Sequence, residues 1–576
     1  MTAFQQLKRK SKLDAGTYPC MRLAMLGDCA TQLFSTAIKG CGYENRLNFE
    51  IFDADYNQID AQVIDSDSEL YRFQPDAVLL VMCTEKLYEA FCTSAPARRS
   101  QFAQDTHDRI VGYWARVQSQ QAARILQCTF VEIDDGVFGS FSNRTESAFL
   151  FQLRKLNLLL MESAGRHPNV YMVDLCALQS RIGRDVFYDE KYYYSAKMPI
   201  SLAALPEAAK LVTDVLAALQ GRVRKCVVLD LDNTLWGGVI GDDGLSGIEI
   251  GELGAGHAFS EFQMWLRELK NRGILLAVCS KNNEAAAKEP FEKHPEMVLR
   301  LSDISMFVAN WEDKASNIRY IQQTLNIGMD SMVFLDDNPF ERNMVRGLIP
   351  EITVPELPED PAQYLTALKR LNLFETASFS EEDSSRTAQY QAEAGRAALQ
   401  KQFASIDEYL IGLEMEAEAK PFDPFHYPRI AQLTQRSNQF NLRTVRYTEA
   451  EIEEAAWQET TLTRYFTLRD KFGDHGLISV VILQKQDSDT LFVDTWLMSC
   501  RVLKRGMEEF IINSVIQAAK EAGYRRVVGE YLKTAKNAMV EHIYEHLGFR
   551  PLGENTYEVL VDEFHPSKTY ITEAKA

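Results

Sequence analysis

The stretch CVVLDLDNTLW, residues 226 to 236, decides how the centre of this chain folds. Its first four residues are apolar and predict a buried β-strand, which runs directly into Asp230 and Asp232. In an open α/β sheet, ligands bind at the carboxyl ends of the strands, which is where these two aspartates are expected to lie. Two like charges at one strand end repel each other unless a cation lies between them, and an all-oxygen ligand set favours magnesium.

Further motifs repeat this arrangement downstream. A second strand-like run, AVCS, ends at Ser280, and a third, VFLDD, ends at Asp336 and Asp337. Between them, WEDKAS places Lys314 at the start of a predicted helix. A hydroxyl group, a lysine and a second acidic pair are the groups needed to neutralise a phosphoryl group and to hold its metal ion. The pattern therefore predicts a site for phosphoryl transfer.

In their order and spacing, these motifs resemble those of the haloacid dehalogenase (HAD) superfamily. The resemblance implies that Asp230 attacks phosphorus and forms an aspartyl phosphate. It also implies that Asp232 protonates the leaving oxygen and then activates water for hydrolysis. The alternative is a structural aspartate pair that only caps loops, and four motifs in the superfamily's order count against it.

The same resemblance implies which residues bind the metal and the phosphate. Magnesium would be held by carboxylates and by the backbone carbonyl of the second aspartate, so that the ligands come from Asp230, Asp232, Asp336 and Asp337. The phosphate-binding residues would be Thr234, Ser280 and Lys314. The gaps after the first motif and between Ser280 and Lys314 are too short for an inserted cap domain. We therefore expect an open, capless site that could admit a substrate tethered to a protein.

Composition and net charge restrict the class of protein. The chain has 576 residues, ten cysteines and a formal net charge of -19 at pH 7. Nucleic acids and anionic membranes need a basic footprint, so neither is expected as a partner. The cysteines lack CxxC spacing, and no apolar segment follows the basic residues near the start. We therefore expect a cytoplasmic protein without a disulfide framework.

The distribution of apolar runs predicts several domains, as the length of the chain requires. We predict an α/β domain at residues 1–220, a second α/β domain at 221–375 and an α+β domain at 421–576. A polar, charged linker with a helical segment is predicted at 376–420. The expected fold class is thus a multidomain α/β chain whose middle domain is a capless, Rossmann-like HAD domain.

The first domain carries a different resemblance. Residues 23 to 32, LAMLGDCATQ, resemble the first block of SGNH-type hydrolases, but Cys29 stands at the position of the serine. The later segment FYDEKYYYSAKMPIS has no histidine in the DxxH position, so a hydrolytic triad is incomplete. We therefore expect an SGNH-like α/β sandwich that is not hydrolytic. Core packing is favoured over an interaction surface for its tyrosines, Tyr188, Tyr192, Tyr193 and Tyr194.

The C-terminal domain contains a basic turn. Residues 494 to 510, DTWLMSCRVLKRGMEEF, predict a strand, a turn with Arg501, Lys504, Arg505 and Gly506, and a helix. Such a turn at a helix N-terminus binds phosphate through free backbone N–H groups. With AMVEHIYEHLGF downstream, it resembles the GNAT acyltransferase fold, whose loop binds the pantetheine arm of coenzyme A. The loop spacing departs from that consensus, and a phosphopantetheinyl carrier protein presents the same arm.

Two residues of this domain are candidates for acyl chemistry. Cys500 lies at the predicted end of its strand, next to the basic turn and the helix N-terminus, which favour a thiolate. His475, in KFGDHGLIS, is a candidate base for Cys500, with Asp474 orienting it. The alternatives are a small buried cysteine and a histidine that only makes hydrogen bonds in a turn.

Four segments together resemble the FkbH-like family: DLDNTLWGGVIGDDG, TQRSNQFNLRTVRYT, DKFGDHGLISVV and SCRVLKRGME. The resemblance implies an enzyme that takes the acyl group of 1,3-bisphosphoglycerate, removes the remaining phosphate and loads glyceryl onto an acyl carrier protein, in polyketide or related biosynthesis. Cys500 would hold the acyl group as a thioester. Residues of the NQFNLRT block would bind substrate hydroxyls, or form a polar structural turn; they are Asn438, Gln439, Asn441 and Arg443.

Further cations near the turn predict a basic patch for an acidic carrier: Arg525, Arg526, Lys533 and Lys536. Two alternative functions remain open. One is a HAD phosphatase joined to a coenzyme A-dependent acyltransferase that acts on another metabolite. The other is a carrier-binding scaffold without activity, against which the complete set of HAD motifs counts.

Overall fold

The computed structural model describes residues 2–379, 396, 403 and 405–574 of the chain. These residues form two compact units, Met1–Leu219 and Gln220–Ala576. About half of the predicted linker at 376–420 lies outside the described residues. Its end is not a linker, because residues 406–412 form a helix and residues 416–420 form a strand that pairs within the C-terminal sheet. None of the helices in the described part of the chain is both long and apolar enough to cross a membrane.

The first unit contains a five-stranded parallel sheet with the strand order β2-β1-β3-β4-β5. Its strands are β1 Cys20–Gly27, β2 Asn48–Asp53, β3 Ala77–Val81, β4 Arg124–Cys128 and β5 Val170–Val173. Its helices are α1 Ala3–Lys10, α2 Gln32–Glu44, α3 Ile59–Ile64, α4 Glu69–Phe73, α5 Thr84–Thr93, α6 Phe102–Gln120, α7 Phe149–Ala164, α8 Leu175–Ile182, α9 Arg184–Phe187, α10 Glu190–Ala196 and α11 Leu205–Leu219, with 3-10 turns at Pro96–Gln101 and Gly139–Arg144. Strand β3, AVLLV, is buried along its whole length, as a strand covered on both faces must be.

The second unit begins with a four-stranded parallel sheet, which we call the central sheet, in the order β8-β7-β6-β9. Its strands are β6 Cys226–Leu229, β7 Leu275–Ser280, β8 Met306–Ala309 and β9 Met332–Leu335. Its helices are α12 Ile240–Asp243, α13 Gly254–Asn271, α14 Glu284–Lys293, α15 Lys314–Leu325, α16 Pro339–Leu348 and α17 Tyr364–Leu371, with 3-10 turns at Leu301–Asp303, Met329–Ser331 and Pro361–Gln363.

Both faces of the central sheet are buried. Val227 and Leu229 pack in one apolar cluster, whereas Cys226 and Val228 pack in another. Because successive residues of a strand point to opposite faces, each cluster covers one side of the sheet. Segments 237–253 and 281–313 contain only short elements and no inserted domain. The expected capless arrangement is confirmed.

The remaining strands of the second unit form a mixed sheet, which we call the C-terminal sheet, in the order β16-β17-β15-β14-β13-β12-β10-β18, with β11 beside β14. Its strands are β10 Glu416–Lys420, β11 Phe440–Asn441, β12 Thr461–Asp470, β13 Gly473–Lys485, β14 Thr490–Met498, β15 Arg526–Glu530, β16 Arg550–Pro551, β17 Thr556–Leu560 and β18 Thr572–Glu573. The helices are α18 Ile406–Gly412, α19 Tyr427–Arg436, α20 Glu449–Trp457, α21 Met507–Glu521 and α22 Ile543–His546, with 3-10 turns at Cys500–Val502, Ala538–Val540 and Val561–Glu563.

Strand β14 changes its partner along its length. It pairs with β15 in parallel from Thr490 to Val493, and near Met498 it pairs with β11 instead. The long helix α21 follows β14 and packs its apolar face into the core of this sheet. The expected fold class, a multidomain α/β chain with a C-terminal α+β region, is confirmed.

Gly221 provides a test of how the two sheets of the second unit are joined. Its φ is +72°, and a Cβ there would meet the carbonyl oxygen of Gln435 in α19. We expect Gly221→Ala to lower the free energy of unfolding by about 1–3 kcal/mol, because the left-handed backbone and the close approach both oppose a side chain. Thermal denaturation of the full chain measures the effect.

The matched control is Gly347→Ala in α16, where an added Cβ meets nothing within 4 Å. Alanine in a helix should leave the stability unchanged or raise it by up to about 1 kcal/mol. Equal stabilities of the two variants would contradict the close approach at Gly221.

Candidate functional site

The residues expected at the strand ends meet at one edge of the central sheet. Asp230 follows β6, Ser280 ends β7 and Asp336 follows β9. Since β6 lies between β7 and β9, the carboxyl ends of these parallel strands are adjacent. The structure therefore brings together side chains that are far apart in the sequence.

Lys314 joins two of these carboxylates. It begins helix α15, and its Nζ lies 3.0 Å from Oδ1 of Asp230 and 2.5 Å from Oδ2 of Asp336. Only 4% of the lysine is exposed. Burial alone would lower the pKa of this ammonium group, but the two carboxylates outweigh it and raise the pKa above its usual value. Lys314 is therefore a permanent cation inside the site.

Burial raises the pKa of Asp230 to about 6, although Lys314 and the Ser280 hydroxyl oppose the shift. Burial also raises the pKa values of Asp336 and Asp337. Taking a carboxylate out of water disfavours its charged form, and neighbouring carboxylates add to the effect. The three aspartates thus form a site that attracts further positive charge.

Three carboxylates form a group of the right size for a metal ion. One oxygen from each of Asp230, Asp336 and Asp337 lies within 4.8 Å of the others. An all-oxygen set of acidic ligands suits magnesium. Thr234 supports this group, because the backbone N–H of Asp337 donates to its Oγ1 over 3.1 Å. The carboxylates of Asp230, Asp336 and Asp337 are therefore suitable ligands for the predicted Mg²⁺ ion.

The carboxylate of Asp232 lies outside this group and is held by other donors. Its Oδ1 accepts hydrogen bonds from Trp236 Nε1 and from the Ile240 backbone N–H, each over 3.0 Å. Its Oδ2 accepts from Asn282 Nδ2 over 2.8 Å. A carboxyl group fixed in this way is oriented for proton transfer. In the predicted set of metal ligands, Asp232 therefore contributes its backbone carbonyl group and not its carboxylate.

Sequence reasoning missed two residues that position this site. Asn282 is 4% exposed and its amide also donates to Ser280 Oγ over 3.4 Å. Arg342 in α16 donates from Nη1 to the backbone carbonyls of Asp336 and Asp337, over 2.8 and 2.6 Å. The sequence features that could have indicated these two residues are an asparagine two residues after Ser280 and an arginine on the helix that follows the acidic pair.

The basic turn of the C-terminal sheet differs from its prediction. Lys504 is exposed, and Gly506 adopts a φ of +79° just before helix α21. Arg505 is only 4% exposed, and its Nη1 lies 3.5 Å from Oδ2 of Asp470. The prediction that Arg505 binds a carrier is therefore corrected, since its guanidinium is turned into the protein. The side chain of Arg501 lies outside the described residues.

His475 and Cys500 are not brought into contact by the described hydrogen bonds. His475 Nε2 lies 3.1 Å from Asp470 Oδ2, because the hairpin of β12 and β13 places Asp470 next to the start of β13. Asp474, expected to orient the histidine, accepts instead from the backbone N–H of Gly476. Asp470 replaces Asp474 as the partner of His475, and a role for His475 toward Cys500 stays a prediction.

The four residues of the NQFNLRT block fall into two groups. Asn441 and Arg443 hold the fold together: the Asn441 side chain bonds to the backbone of Ser437 and Thr444, and Arg443 forms ion pairs with carboxylates. Asn438 and Gln439 instead line a cleft that also contains Cys500. Substrate binding by this block stays a prediction. Asn438 and Gln439 are placed for it by their position in the cleft, but the Asn438 amide also donates to the Gly221 carbonyl and accepts from Arg446, so its side chain supports the fold as well.

We call this space the junction cleft, because residues of both the central and the C-terminal sheet regions line it. Its volume is about 320 Å³. The Asn326 side chain donates to the backbone carbonyl of Cys500 over 2.5 Å, and Lys536 forms an ion pair with Asp330 across the same boundary. Its charged lining residues are Lys225, Asp330, Arg429, Arg436 and Lys536.

Three of the other cations of the predicted carrier patch, Arg526, Lys533 and Lys536, have acidic partners. Arg526 lies within ion-pair distance of Asp487 and Glu558, and Lys533 pairs with Glu541. Such exposed pairs reduce the net positive charge that an acidic carrier would meet. The patch is therefore less basic than the sequence indicates.

In the first unit, Cys29 is 2% exposed, and its contact with Cys83, together with burial, raises the pKa of its thiol. Burial raises the pKa of the adjacent Asp28 to about 6. A buried, protonated thiol is a poor nucleophile. Of the tyrosines expected to pack in the core, Tyr188 and Tyr193 are buried, whereas Tyr192 and Tyr194 are exposed.

Comparison with known proteins identifies the family. Residues 22–217 match the family described as FkbH, N-terminal domain. The chain also resembles the crystal structure of the N-terminal part of the protein BF1531 from Bacteroides fragilis, which contains a phosphatase domain and is complexed with Mg. The identity is 49%, the TM-score is 0.63, and the match covers 66% of this chain and all of that one. The chain belongs to the FkbH-like family. This FkbH-like protein therefore carries a HAD phosphatase domain.

Other comparisons are weaker. The ribosomal-protein-S18-alanine N-acetyltransferase from Escherichia coli matches 25% of this FkbH-like chain at 16% identity and a TM-score of 0.20, over 94% of its own length. Spermidine N-acetyltransferase from Vibrio cholerae matches 26% at 13% identity and a TM-score of 0.20, over 97% of its own length. None of the curated proteins compared matches the chain. The strand order of the C-terminal sheet defines the fold of this region.

The carboxylate group of this FkbH-like protein can be tested by magnesium titration. Asp337→Asn removes one carboxylate from the group and should weaken Mg²⁺ binding at least about tenfold. Asp232→Asn leaves the group intact and should bind Mg²⁺ with an affinity close to that of the wild type. Isothermal titration calorimetry measures both. Equal losses in the two variants would contradict the assignment of the ligands.

The environment of His475 predicts a pH effect on stability. Burial, with Arg505 and Arg396, lowers its pKa below the usual value, although Asp470 opposes the shift. As the pH falls, the His475 imidazole is protonated in the unfolded state at a higher pH than in the folded state. The free energy of unfolding therefore decreases. His475→Gln should lose less stability than the wild type between about pH 7 and about pH 5.

Denaturant unfolding at the two pH values measures this difference. His542, whose side chain is 78% exposed, provides the control substitution His542→Gln, which should keep the wild-type dependence on pH. A wild-type dependence on pH in His475→Gln would contradict a lowered pKa of His475 in the folded protein.

Proposed function

We propose that this protein is a glyceryl transferase and phosphatase. It takes a phosphoglyceryl group from 1,3-bisphosphoglycerate, removes the phosphate and loads glyceryl onto an acyl carrier protein, in polyketide or related secondary metabolism. The observation that carries the proposal is the position of Cys500 in a cleft rich in cations, in the same compact unit as the HAD carboxylate site. An acyl phosphate donor needs both a nucleophile and local positive charge.

The acyl step uses Cys500. Its Sγ, as a thiolate, attacks the carbonyl carbon of the acyl phosphate, so that a C–S bond forms, the C–O bond to phosphate breaks and inorganic phosphate leaves. The cations of the junction cleft would neutralise the charge on the donor. The thiol of the carrier then loses its proton and attacks the thioester carbon, and Cys500 leaves as a thiolate.

The phosphate step uses the HAD site. Asp230 attacks phosphorus, the P–O bond to the three-carbon unit breaks, and Asp232 gives a proton to the leaving oxygen. Asp232 then takes a proton from the water that hydrolyses the aspartyl phosphate. Lys314 neutralises part of the negative charge that collects there. Mg²⁺, bound to Asp230, Asp336 and Asp337, would supply the remaining positive charge at the phosphoryl oxygens.

The proposed partner is an acyl carrier protein whose phosphopantetheine arm reaches the region of the basic turn. A groove of about 410 Å³ beside Lys504 and Gly506 offers space for the arm, and its lining includes Lys568 and Tyr570 together with the carboxylates of Asp407, Glu508 and Glu509. An exposed lysine and the start of helix α21 would contact the phosphate of the arm. Coenzyme A carries the same arm, so the test below compares both acceptors.

The proposal is tested by intact mass spectrometry of the enzyme and an acyl carrier protein after incubation with Mg²⁺ and 1,3-bisphosphoglycerate. The wild-type chain should load the carrier with glyceryl and release two phosphates for each group transferred. Cys500→Ala should reduce loading by at least about a thousandfold, as expected for the loss of a covalent nucleophile.

The control is Cys92→Ala, which removes an exposed cysteine of the first unit and should load at the wild-type rate. Loading by Cys500→Ala at the wild-type rate would contradict the role of Cys500. Acylation of coenzyme A with none of the carrier would favour the alternative of a coenzyme A-dependent acyltransferase.

A further inference from the structure

The first unit contains a cavity at the point where the order of its parallel strands reverses. Strand β2 lies on one side of β1, whereas β3, β4 and β5 follow on the other side. Asp28 directly follows β1 and Met82 directly follows β3, and both residues line the cavity. In open α/β sheets, ligands bind outside the carboxyl ends of the strands at such a reversal. We call this space the switch-point cavity.

The switch-point cavity combines an apolar lining with a polar rim. Its volume is about 160 Å³. A water molecule takes up about 30 Å³ in the liquid, so the cavity holds about five groups of that size. The apolar lining residues are Ile59, Met82, Leu87 and Phe130, all of them buried. The rim residues are Asp28, Asn57, Asp60, Lys86, Arg109 and Tyr113. This space suits a small organic molecule with polar groups.

Lys86 ties the rim together and keeps its charge. Its Nζ donates to Asn57 Oδ1 over 2.5 Å and to the backbone carbonyl of Asp28 over 3.3 Å. The backbone N–H of Asn57 donates to the carbonyl of Gly27 over 3.1 Å, which brings the loop after β2 to the end of β1. Both acceptors of the lysine are neutral, and no carboxylate of the described residues lies within ion-pair distance of it. Its positive charge is therefore available to a ligand.

Arg109, on helix α6, is the second cation of the rim and is exposed. In the part of the chain that the structure describes, its guanidinium has neither a hydrogen bond nor an ion pair. It lies close enough to Asp28 and Tyr113 to oppose the effect of burial, which raises the pKa of both groups. A guanidinium group presents a planar fork of N–H donors that matches a carboxylate. Arg109 is therefore suited to bind an anionic group at the cavity.

The two carboxylates of the rim favour a hydrogen-bond donor on the same ligand. Asp28 Oδ1 accepts from the backbone N–H of Cys83 over 2.8 Å, and its pKa of about 6 leaves the group ionised at pH 7. Asp60 Oδ1 accepts from the Tyr113 hydroxyl over 2.6 Å. An anion without a donor would meet like charge at these carboxylates, and a cation without an acceptor would meet it at the two rim cations. The rim therefore fits a ligand that carries both an anionic group and a donor.

We propose that the switch-point cavity binds a small carboxylic acid with an amino or hydroxyl group on the carbon next to its carboxylate. The carboxylate accepts from Arg109 and Lys86, and the neighbouring ammonium or hydroxyl group donates to Asp28. The remaining carbon atoms contact the apolar lining. No nucleophile is involved, since Cys29 lines a different space of about 10 Å³. The site belongs to the first unit and does not depend on the proposed function of the second.

The test compares four probes of similar size on the full chain: L-alanine, L-lactate, propionate and L-alaninamide. L-Alanine and L-lactate carry the donor as an ammonium and as a hydroxyl group, propionate lacks the donor, and L-alaninamide lacks the carboxylate. At least one of the first two should bind at least about tenfold more tightly than propionate and L-alaninamide. Their order distinguishes an amino acid from a hydroxy acid. Isothermal titration calorimetry measures binding, and equilibrium dialysis checks it without relying on heat.

Variants test the contacts of the bound probe. Arg109→Gln should weaken its binding at least about tenfold, and Arg109→Lys should restore part of the loss. Asp28→Asn should reduce the preference for the bound probe over propionate. The matched control is Arg98→Gln, because Arg98 is an arginine of the same unit that pairs with Asp105 and has 73% of its side chain exposed. It should bind the probe as the wild type does.

Three results would overturn the proposal. They are the absence of binding by both L-alanine and L-lactate, binding of propionate as tight as that of both, and wild-type affinity in Arg109→Gln. Thermal denaturation verifies that the variants fold. Arg109 is exposed, so its substitution leaves the core intact, and the comparison of probes on the wild-type chain decides the need for a donor even where Asp28→Asn does not fold.

Discussion

The ion pairs of Lys314 with Asp230 and Asp336 are the interaction on which the centre of this protein depends. Three aspartates whose oxygens lie within 4.8 Å of one another repel, and burial increases that repulsion. The lysine, itself 4% exposed, neutralises part of the charge from the start of α15. Breaking a buried pair costs about 3–5 kcal/mol, because the partner is left charged without compensation. The site is stable only because the parallel strands place the aspartates at one edge of the central sheet and helix α15 places Lys314 beside them.

The direction of those strands also divides the chemistry of the second unit. Parallel strands have one carboxyl edge and one amino edge, so a site at each edge is separated by the length of the sheet. The HAD site occupies the carboxyl edge, as ligand sites of α/β sheets do. The junction cleft, with Cys500 and its cations, occupies the amino edge. Under the proposed function, a substrate has to reach both sites and must therefore be mobile, and a carrier arm would supply that mobility.

Much of the central site could be predicted from sequence because its residues sit at the ends of apolar runs. Asp230, Ser280 and Asp336 follow recognisable strands, and parallel strands share an edge. Asn282 and Arg342 could not be predicted in the same way. Their roles depend on which acceptor lies next to them across the sheet, namely the carboxylate of Asp232 and the carbonyl groups of Asp336 and Asp337. The local sequence around Asn282 and Arg342 does not indicate such contacts.

The sequence by itself determined the fold class, the family and the residues of the HAD site, because periodicity and motif order are local properties of the chain. Only the tertiary structure decided the surroundings of the C-terminal residues. Arg505, in a turn that reads as a phosphate-binding loop, points inward to Asp470, and His475 bonds to the same carboxylate instead of Asp474. Only the tertiary structure places Cys500 at the edge of the central sheet opposite Asp230. The physical reason is that hairpin register and contacts between sheets bring together residues that are far apart in the chain. Their spacing in the sequence does not indicate that they are in contact.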